Sequence, residues 1–282
     1  MLLSSIRPTF AYVSSERETS LDDSLKLCLE VGEEHLSYLI ADTSGKKIIH
    51  FEYYAVSKEE KLERLSMLLK EDPELNRSFA DVILINNTNK TVLVPESFHK
   101  DYLNDALLQM IHGDLEAMAV HNDTVHQWEI NIVHGLDVEL ENVLKERFPQ
   151  TRSVHFATAV LRSAFRNMHW EEEQHVKIFF FSASFFIMVF NGDQLQIAQH
   201  FHYETTEDII YHVLNVADKF HVDVTSALFE ISGLLDESSP IWHELQRHFL
   251  VIDFLAPDFT FEGIPEFPAH YFTPFFMIPA CV

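Results

Sequence analysis

From Leu25 the chain alternates apolar and polar residues with period two. Leu25, Leu27, Leu29 and Val31 point one way, and Lys26, Cys28 and Glu30 the other, which predicts a strand. Gly32-Glu33-Glu34 turns the chain. Leu36, Tyr38 and Ile40 then alternate on a second strand, and Ile49, Phe51 and Tyr53 on a third after Thr43-Ser44-Gly45-Lys46. Three such strands in succession predict an antiparallel meander. Ser57-Lys58-Glu59-Glu60 reads as a capping box, followed by Leu62, Leu65, Leu68 and Leu69 at helical spacing and by Pro73 beyond the helix end. Val82 to Ile85 reads as a buried strand of the parallel kind.

Further on, Thr91 to Val94 predicts a short strand. A helix from about Ser97 to Ile111 would gather Phe98, Tyr102, Leu103, Ala106, Leu107 and Met110 on one side. Glu116 to His121 and Gln127 to Val133 read as strands flanking a turn at Asn122-Asp123. A helix with Leu140, Val143, Leu144 and Phe148 inward, a strand from Ser153 to Phe156, and a helix with Val160, Leu161, Ala164, Phe165 and Met168 complete this half. The Glu171-Glu172-Glu173-Gln174 run marks the expected boundary, giving a first domain over 1–170 and a second over 171–282. Residues 1 to 20 read as a polar, mixed leading arm.

The second half restarts the plan. An apolar run from Lys177 to Phe190, interrupted by Ser182-Ala183-Ser184, turns at Asn191-Gly192 and returns as an alternating strand from Leu195 to Tyr203. Thr205-Thr206-Glu207-Asp208 stands where Ser57 to Glu60 stood. It heads a helix with Ile209, Ile210, Val213, Leu214, Ala217 and Phe220 as its apolar stripe. Strand Ala227 to Ile231 corresponds to Val82 to Ile85. A short helix from Trp242 to His248 and a strand from Phe249 to Phe254 follow, and beyond Ala256 comes an aperiodic tail rich in proline and phenylalanine.

Composition narrows the function classes. The chain has 282 residues, 47% of them apolar and 24 of them phenylalanine, enough for a packed core. Its net charge of −24 repels phosphate backbones and anionic lipid, so nucleic acid is not an expected partner, and a basic protein fits better. Cys28 and Cys281, the only two cysteines, make neither a disulfide framework nor a zinc cluster, which points to a reducing compartment. The most apolar segment, Ile178 to Phe190, falls short of the roughly 20 residues a membrane helix needs. With no secretory pattern in Met1 to Ser20, the expectation is a cytoplasmic protein with no membrane insertion.

Three antiparallel strands, a helix and a parallel strand, occurring twice, resemble the actin-like ATPase superfamily. That resemblance implies an α/β fold of two ribonuclease H-like lobes, each a mixed sheet with helices. The Asn191-Gly192 hairpin before a Thr-capped helix is most similar to the pilus-assembly and cell-division actin homologues, and suggests a bacterial family with degenerate phosphate loops. In the superfamily each lobe's first hairpin turn is a phosphate loop, Asp-x-Gly followed by small and hydroxyl residues. Glycine lets backbone N–H groups approach phosphate, and the acid holds Mg²⁺. Here the first lobe reads Glu30-Val31-Gly32-Glu33-Glu34, with two carboxylates where polyphosphate would lie. Each such pair is repulsive by roughly 4 kcal/mol at about 4 Å. The second reads Phe180-Phe181-Ser182-Ala183-Ser184-Phe185, with neither acid nor glycine, and Gly233 stands alone where a Gly-Gly pair would face adenosine.

Each feature has a plainer reading. Glu30, Gly32, Glu33 and Glu34 read either as a vestigial phosphate loop (Glu30, Gly32 and Glu33 its candidates for cofactor binding) or as a solvated acidic turn. His200 and His202 share a strand face and resemble a two-ligand chelate without a third ligand. His112, His121, His126 and His134 read as surface or satisfied core histidines, separated by turns. Ser182 and Ser184 have no His and Asp placed beside them. The tail aromatics Phe259, Phe261, Phe267, Tyr271, Phe272, Phe275 and Phe276 either pack on their own chain or form a partner interface, and the first is favoured.

The expected function is thus a pseudo-ATPase serving as a protein-interaction or scaffold module, leaning against an enzyme. No catalytic residue, cofactor or metal is assigned. The alternative is a divergent nucleotide-binding ATPase or small-molecule kinase, with ATP and Mg²⁺ as cofactors and Glu30 as the metal-binding acid.

Overall fold

The structure, a computed structural model, describes residues 7–15, 25–167, 174–255, 259, 262 and 267–282. The expected boundary run at 171–173, Met168 and Phe261 lie outside the described residues. The chain forms two compact units: residues 1–163 with 259–262 and 277–282, and residues 164–258 with 263–276. The tail, read from sequence as part of the second domain, is thus divided between both.

The first unit is built on a six-stranded sheet. Its strands are β1 (Phe10–Val13), β2 (Leu25–Gly32), β3 (His35–Asp42), β4 (Ile48–Ala55), β5 (Asp81–Asn87) and β9 (Arg152–His155), in the order β1-β4-β3-β2-β5-β9. The meander β2-β3-β4 is antiparallel, and β5 and β9 join β2 in parallel. β1, from the arm that read as irregular, adds an antiparallel edge to β4. One face of β2 and β3, Leu25 to Val31 and Leu36 to Ile40 at alternate positions, packs on Leu65, Leu68 and Leu69 of α1 (Lys61–Glu71) and Leu140 and Leu144 of α3 (Val138–Arg147). The other face of β2 is buried as well. There Lys26 Nζ donates to Pro279 O (2.7 Å) and Val282 O (3.2 Å).

A smaller sheet, β6 (Thr91–Pro95), β8 (Ile130–Asp137) and β7 (Met118–Val125), extends this unit in the order β6-β8-β7. Its core is Val94, Val133 and Leu108 of α2 (Asn104–His112). Two sequence expectations change here. The helix over 97–111 is α2 alone, preceded by two 3-10 turns (Glu96–Phe98 and Asp101–Leu103), and its supposed inner stripe is largely outward. Asn122-Asp123 lies inside β7 and the turn falls at residues 126–129, because both side chains have partners inside the fold.

The second unit repeats the topology. β10 (Gln174–Phe180), β11 (Ser184–Asn191) and β12 (Gln194–His202) form the meander; β13 (Leu228–Gly233) and β14 (Val251–Phe254) continue it in parallel, in the order β12-β11-β10-β13-β14. Its core holds Ile178, Phe180, Phe185 and Ile187 against Ile209, Val213 and Val216 of α5 (Thr206–Lys219) and Trp242 and Leu245 of α6 (Pro240–His248). Thr205 and Asp208 form the capping box the sequence predicts. The counterpart at Ser57 to Glu60 does not form: Ser57 Oγ bonds to the Glu60 carboxylate (3.3 Å), and α1 starts one residue later without a side-chain cap. The described part of the tail forms short helical turns over residues 269–280, α7 (Thr273–Phe276) among them, which bury Phe272, Phe275 and Phe276 in the second unit.

Candidate functional site

In open α/β sheets, ligands gather at the carboxyl ends of parallel strands. In the first unit those ends are Gly32 of β2, Asn86 and Asn87 of β5, and His155 of β9, aligned by the register Gly32–Asn87 and Asn86–His155. Successive residues point to opposite faces, so two polar clusters form, one on each face.

On the face carrying Glu30 and Gly32, Glu30 is only 4% exposed. Its Oε1 bonds to His35 Nε2 (2.9 Å) and accepts from Asn87 Nδ2 (2.7 Å). The His35 ring stacks on Tyr53 and covers Gly32 so closely that a Cβ there would meet the ring at 1.9 Å. A side chain at Gly32 would have to displace the His35 ring from the backbone. Lys61, at the start of α1, closes the turn from behind by donating to Gly32 O (2.5 Å) and Glu33 O (2.9 Å). Burial lowers the Lys61 pKa from the usual lysine value, against the pull of Glu33.

On the opposite face lies a second buried group. Asn86 Nδ2 donates to Gly135 O and to His134 Nδ1, both at 2.9 Å. A carbonyl only accepts, which fixes the amide orientation, and His134 Nδ1 is then the acceptor, leaving the proton on Nε2. That nitrogen faces Asp123 Oδ2 at 3.6 Å. The same oxygen accepts from the His155 N–H (2.7 Å) and Thr158 Oγ1 (2.6 Å). Burial favours the neutral acid of Asp123, but His134, the Thr158 hydroxyl and the His155 N–H outweigh it and hold the carboxyl below its usual range. His155 accepts at Nδ1 from the Ala157 N–H (3.1 Å), and its Nε2 reaches Thr88 O (3.1 Å). Burial, with His134 beside it, pushes His155 down to about 3, so the ring is neutral.

The second unit builds the same place without charge. Val31 pairs with Leu36 and Phe180 with Phe185, so Gly32 to His35 corresponds to Phe181 to Ser184, and Glu30 to Phe179. Phe181 N–H donates to Ser184 O (2.8 Å), and Tyr203 OH donates to Phe181 O (2.7 Å). The Phe181 ring meets Phe275 edge-on at 5.8 Å. Gly233 sits at φ +102°, where a Cβ would lie 2.1 Å from Phe180 O, so its glycine serves the approach of β13 to β10.

A family model described as "Protein of unknown function (DUF3822)" matches residues 14–252. The chain belongs to that family. This DUF3822 member is similar in structure to a Bacteroides thetaiotaomicron protein with actin-like ATPase fold and unknown function, at TM-score 0.77 and 17% identity over 85% of this chain and 93% of the other. It is also similar to a chain of the PilM–PilN type IV pilus biogenesis complex (TM-score 0.56, 11% identity, 90% and 96% covered). A third similar structure is the ethanolamine utilization protein EutJ from Carboxydothermus hydrogenoformans (TM-score 0.52, 8% identity, 92% and 90% covered). No curated protein matches. The DUF3822 chain therefore has the actin-like ATPase fold, as the duplicated plan implied.

Glu30 and Gly32 come together in this DUF3822 chain, but not as a solvated acidic turn. Glu30 is buried, Glu33 is half-buried with its carboxylate on the Asn89 N–H (2.7 Å), and only Glu34 is exposed. His121 and His134 are direct cross-strand partners with stacked rings, an arrangement hidden while Asn122-Asp123 read as a turn. His112 bonds to Thr91 O (2.9 Å), and His126 is exposed. His200 packs edge-on against Phe186 at 4.7 Å. Among the described residues, no three His, Cys, Asp or Glu side chains converge as metal ligands do. Asn86, Asn87, His155 and Asp123 carry no local motif. Asn86-Asn87-Thr88-Asn89 reads from sequence as a turn, but Asn86 and Asn87 belong to β5 itself.

Proposed function

We propose that this protein is a non-hydrolysing member of the actin-like fold that works through contact with another protein. Glu30, Gly32 and Glu33 are then the remnant of a phosphate loop. The observation that carries this reading is the His35 ring on Gly32. A phosphate loop needs bare backbone at its glycine, and here that approach is taken by a ring whose partner, Glu30, is committed to His35 and Asn87. The second lobe supports the same reading, since Phe181 and Tyr203 fill the matching turn without an acid. The net charge of −24 favours a basic partner.

A reducing, cytoplasmic setting suits the two buried thiols, with Cys28 pushed up to about 12 by burial. No helix of the described residues is long and apolar enough to cross a membrane. Titration calorimetry with Mg-ATP is expected to give no heat of binding and no phosphate release. Micromolar binding with turnover that Glu30→Gln abolishes would replace this reading with a divergent ATPase or small-molecule kinase.

A further inference from the structure

Half of the large apolar side chains that stand exposed among the described residues fall in one short stretch of the first unit. Phe98 is 74% exposed, Tyr102 82%, Met110 74% and Ile111 58%, with Leu103 beside them. Leu108 turns inward from α2 onto Val94 and Val133, so Met110, two residues on, points away from that core, while Ile111 stands exposed on the helix flank. Phe98 and Tyr102 stand on the two 3-10 turns that lead into the helix. Single exposed apolar residues need no explanation, but several on one excursion mark a contact surface.

The surrounding charge selects the occupant. From Thr91 to Glu129, leaving aside Asp123, which is bonded inside the fold, the chain carries six carboxylates against one lysine, Lys100, and no arginine. Glu96, Asp101, Asp105, Asp114 and Glu116 are all exposed. An anionic bilayer would be repelled by this rim. A second copy docked face to face would set the same acids against themselves, which costs several kcal/mol for like charges brought together. We infer that the exposed stretch carrying Phe98, Tyr102, Met110 and Ile111 docks an apolar segment of a different protein, flanked by lysine or arginine. This rests on the reading of the chain as an interaction module and supplies its contact surface. The apolar side chains give the segment a dry seat, and the acid rim sets its polarity.

The test uses the full chain and a synthetic amphipathic helix of leucine and lysine, about five turns or ~18 residues long, with a leucine–glutamate counterpart. The leucine–lysine probe is expected to bind, to weaken with salt, and to protect residues 96–112 from hydrogen exchange, while the counterpart does not bind. Phe98→Ser with Met110→Ser, and separately Asp101→Lys with Asp105→Lys, should each weaken binding at least about 10-fold, a loss of ~1.4 kcal/mol. Glu207→Lys in the second unit should leave it unchanged. A footprint outside 96–112, or variants without effect, overturns the proposal. So does binding to phosphatidylserine vesicles, or a dimer, that depends on Phe98 and Met110. Failure of the footprint while Mg-ATP stays silent removes only this surface. Mg-ATP turnover would remove the underlying reading.

Discussion

The turn after β2 and the turn after β10 occupy the same place in two copies of one topology, yet they are filled by opposite chemistry. The first is held by a buried carboxylate, an imidazole, an amide and an ammonium, with Glu30, His35, Asn87 and Lys61 each committed to a named partner. The second is held by hydrocarbon, with Phe179 where Glu30 stands, Phe181 where Gly32 stands, and Phe275 against it. The strand order constrains where the backbone turns and leaves the filling free. The two fillings should fail differently: apolar packing is indifferent to charge, whereas a polar cluster depends on every member keeping its partner.

The largest effect is expected in the hydrocarbon turn. Phe275→Ala removes a ring that is 2% exposed and should cost about 3–5 kcal/mol, read as a lowered urea midpoint that shifts equally at low and high salt. In the polar turn, Glu30→Leu leaves His35 and Asn87 without their acceptor and should cost about 3 kcal/mol. Adding Asn87→Leu should then cost less than it does in the wild-type background, because its partner is already gone. If the two losses simply add, the cluster is not the coupled unit described.

A smaller effect is read by pH. The folded value of His155 lies below the ordinary ~6.5, so its stabilising contribution is complete above that pH and is lost as pH falls towards about 3. At pH 5 the loss is about 2 kcal/mol relative to neutral pH. Urea unfolding at the two pH values should show that difference, and His155→Gln should reduce it. His270, also held down by burial in the second unit, contributes a slope that remains.

Much of the architecture was legible because burial on a sheet face imposes period two. Leu25 to Val31 and the run from Ile178 to Phe190 announced their strands directly, and the recurrence of strand, turn and helix announced the duplication. Local signatures were less dependable. Thr205–Asp208 and Ser57–Glu60 carry the same capping pattern, but only the first forms it, since Ser57 and Glu60 bond to each other by their side chains instead. Apolar spacing before and through α2 gave the element but not which side faces water. The site was harder still. Glu30 and Gly32 share the period-two face of one strand, but their burial depends on His35, Asn87 and Lys61. Likewise Asp123 meets His134 and His155 only after β7, β8 and β9 have assembled. Such contacts between distant residues leave no periodic trace.

The division of the tail also has a consequence for the order of synthesis. Residues 277–282 belong with the first unit, where Pro279 lies so close to Gly45 (φ +73°) that a Cβ there would fall 2.2 Å from its carbonyl carbon, and where Lys26 is buried against Pro279 O and Val282 O. A chain emerging from the ribosome can lay down β2 through β9 early, but it cannot give Lys26 these partners until residues 279–282 have followed the whole second unit. The first unit is therefore completed only after the second has been synthesised. Until then Lys26 stays hydrated, so the sheet face around it closes only after the second unit has been made.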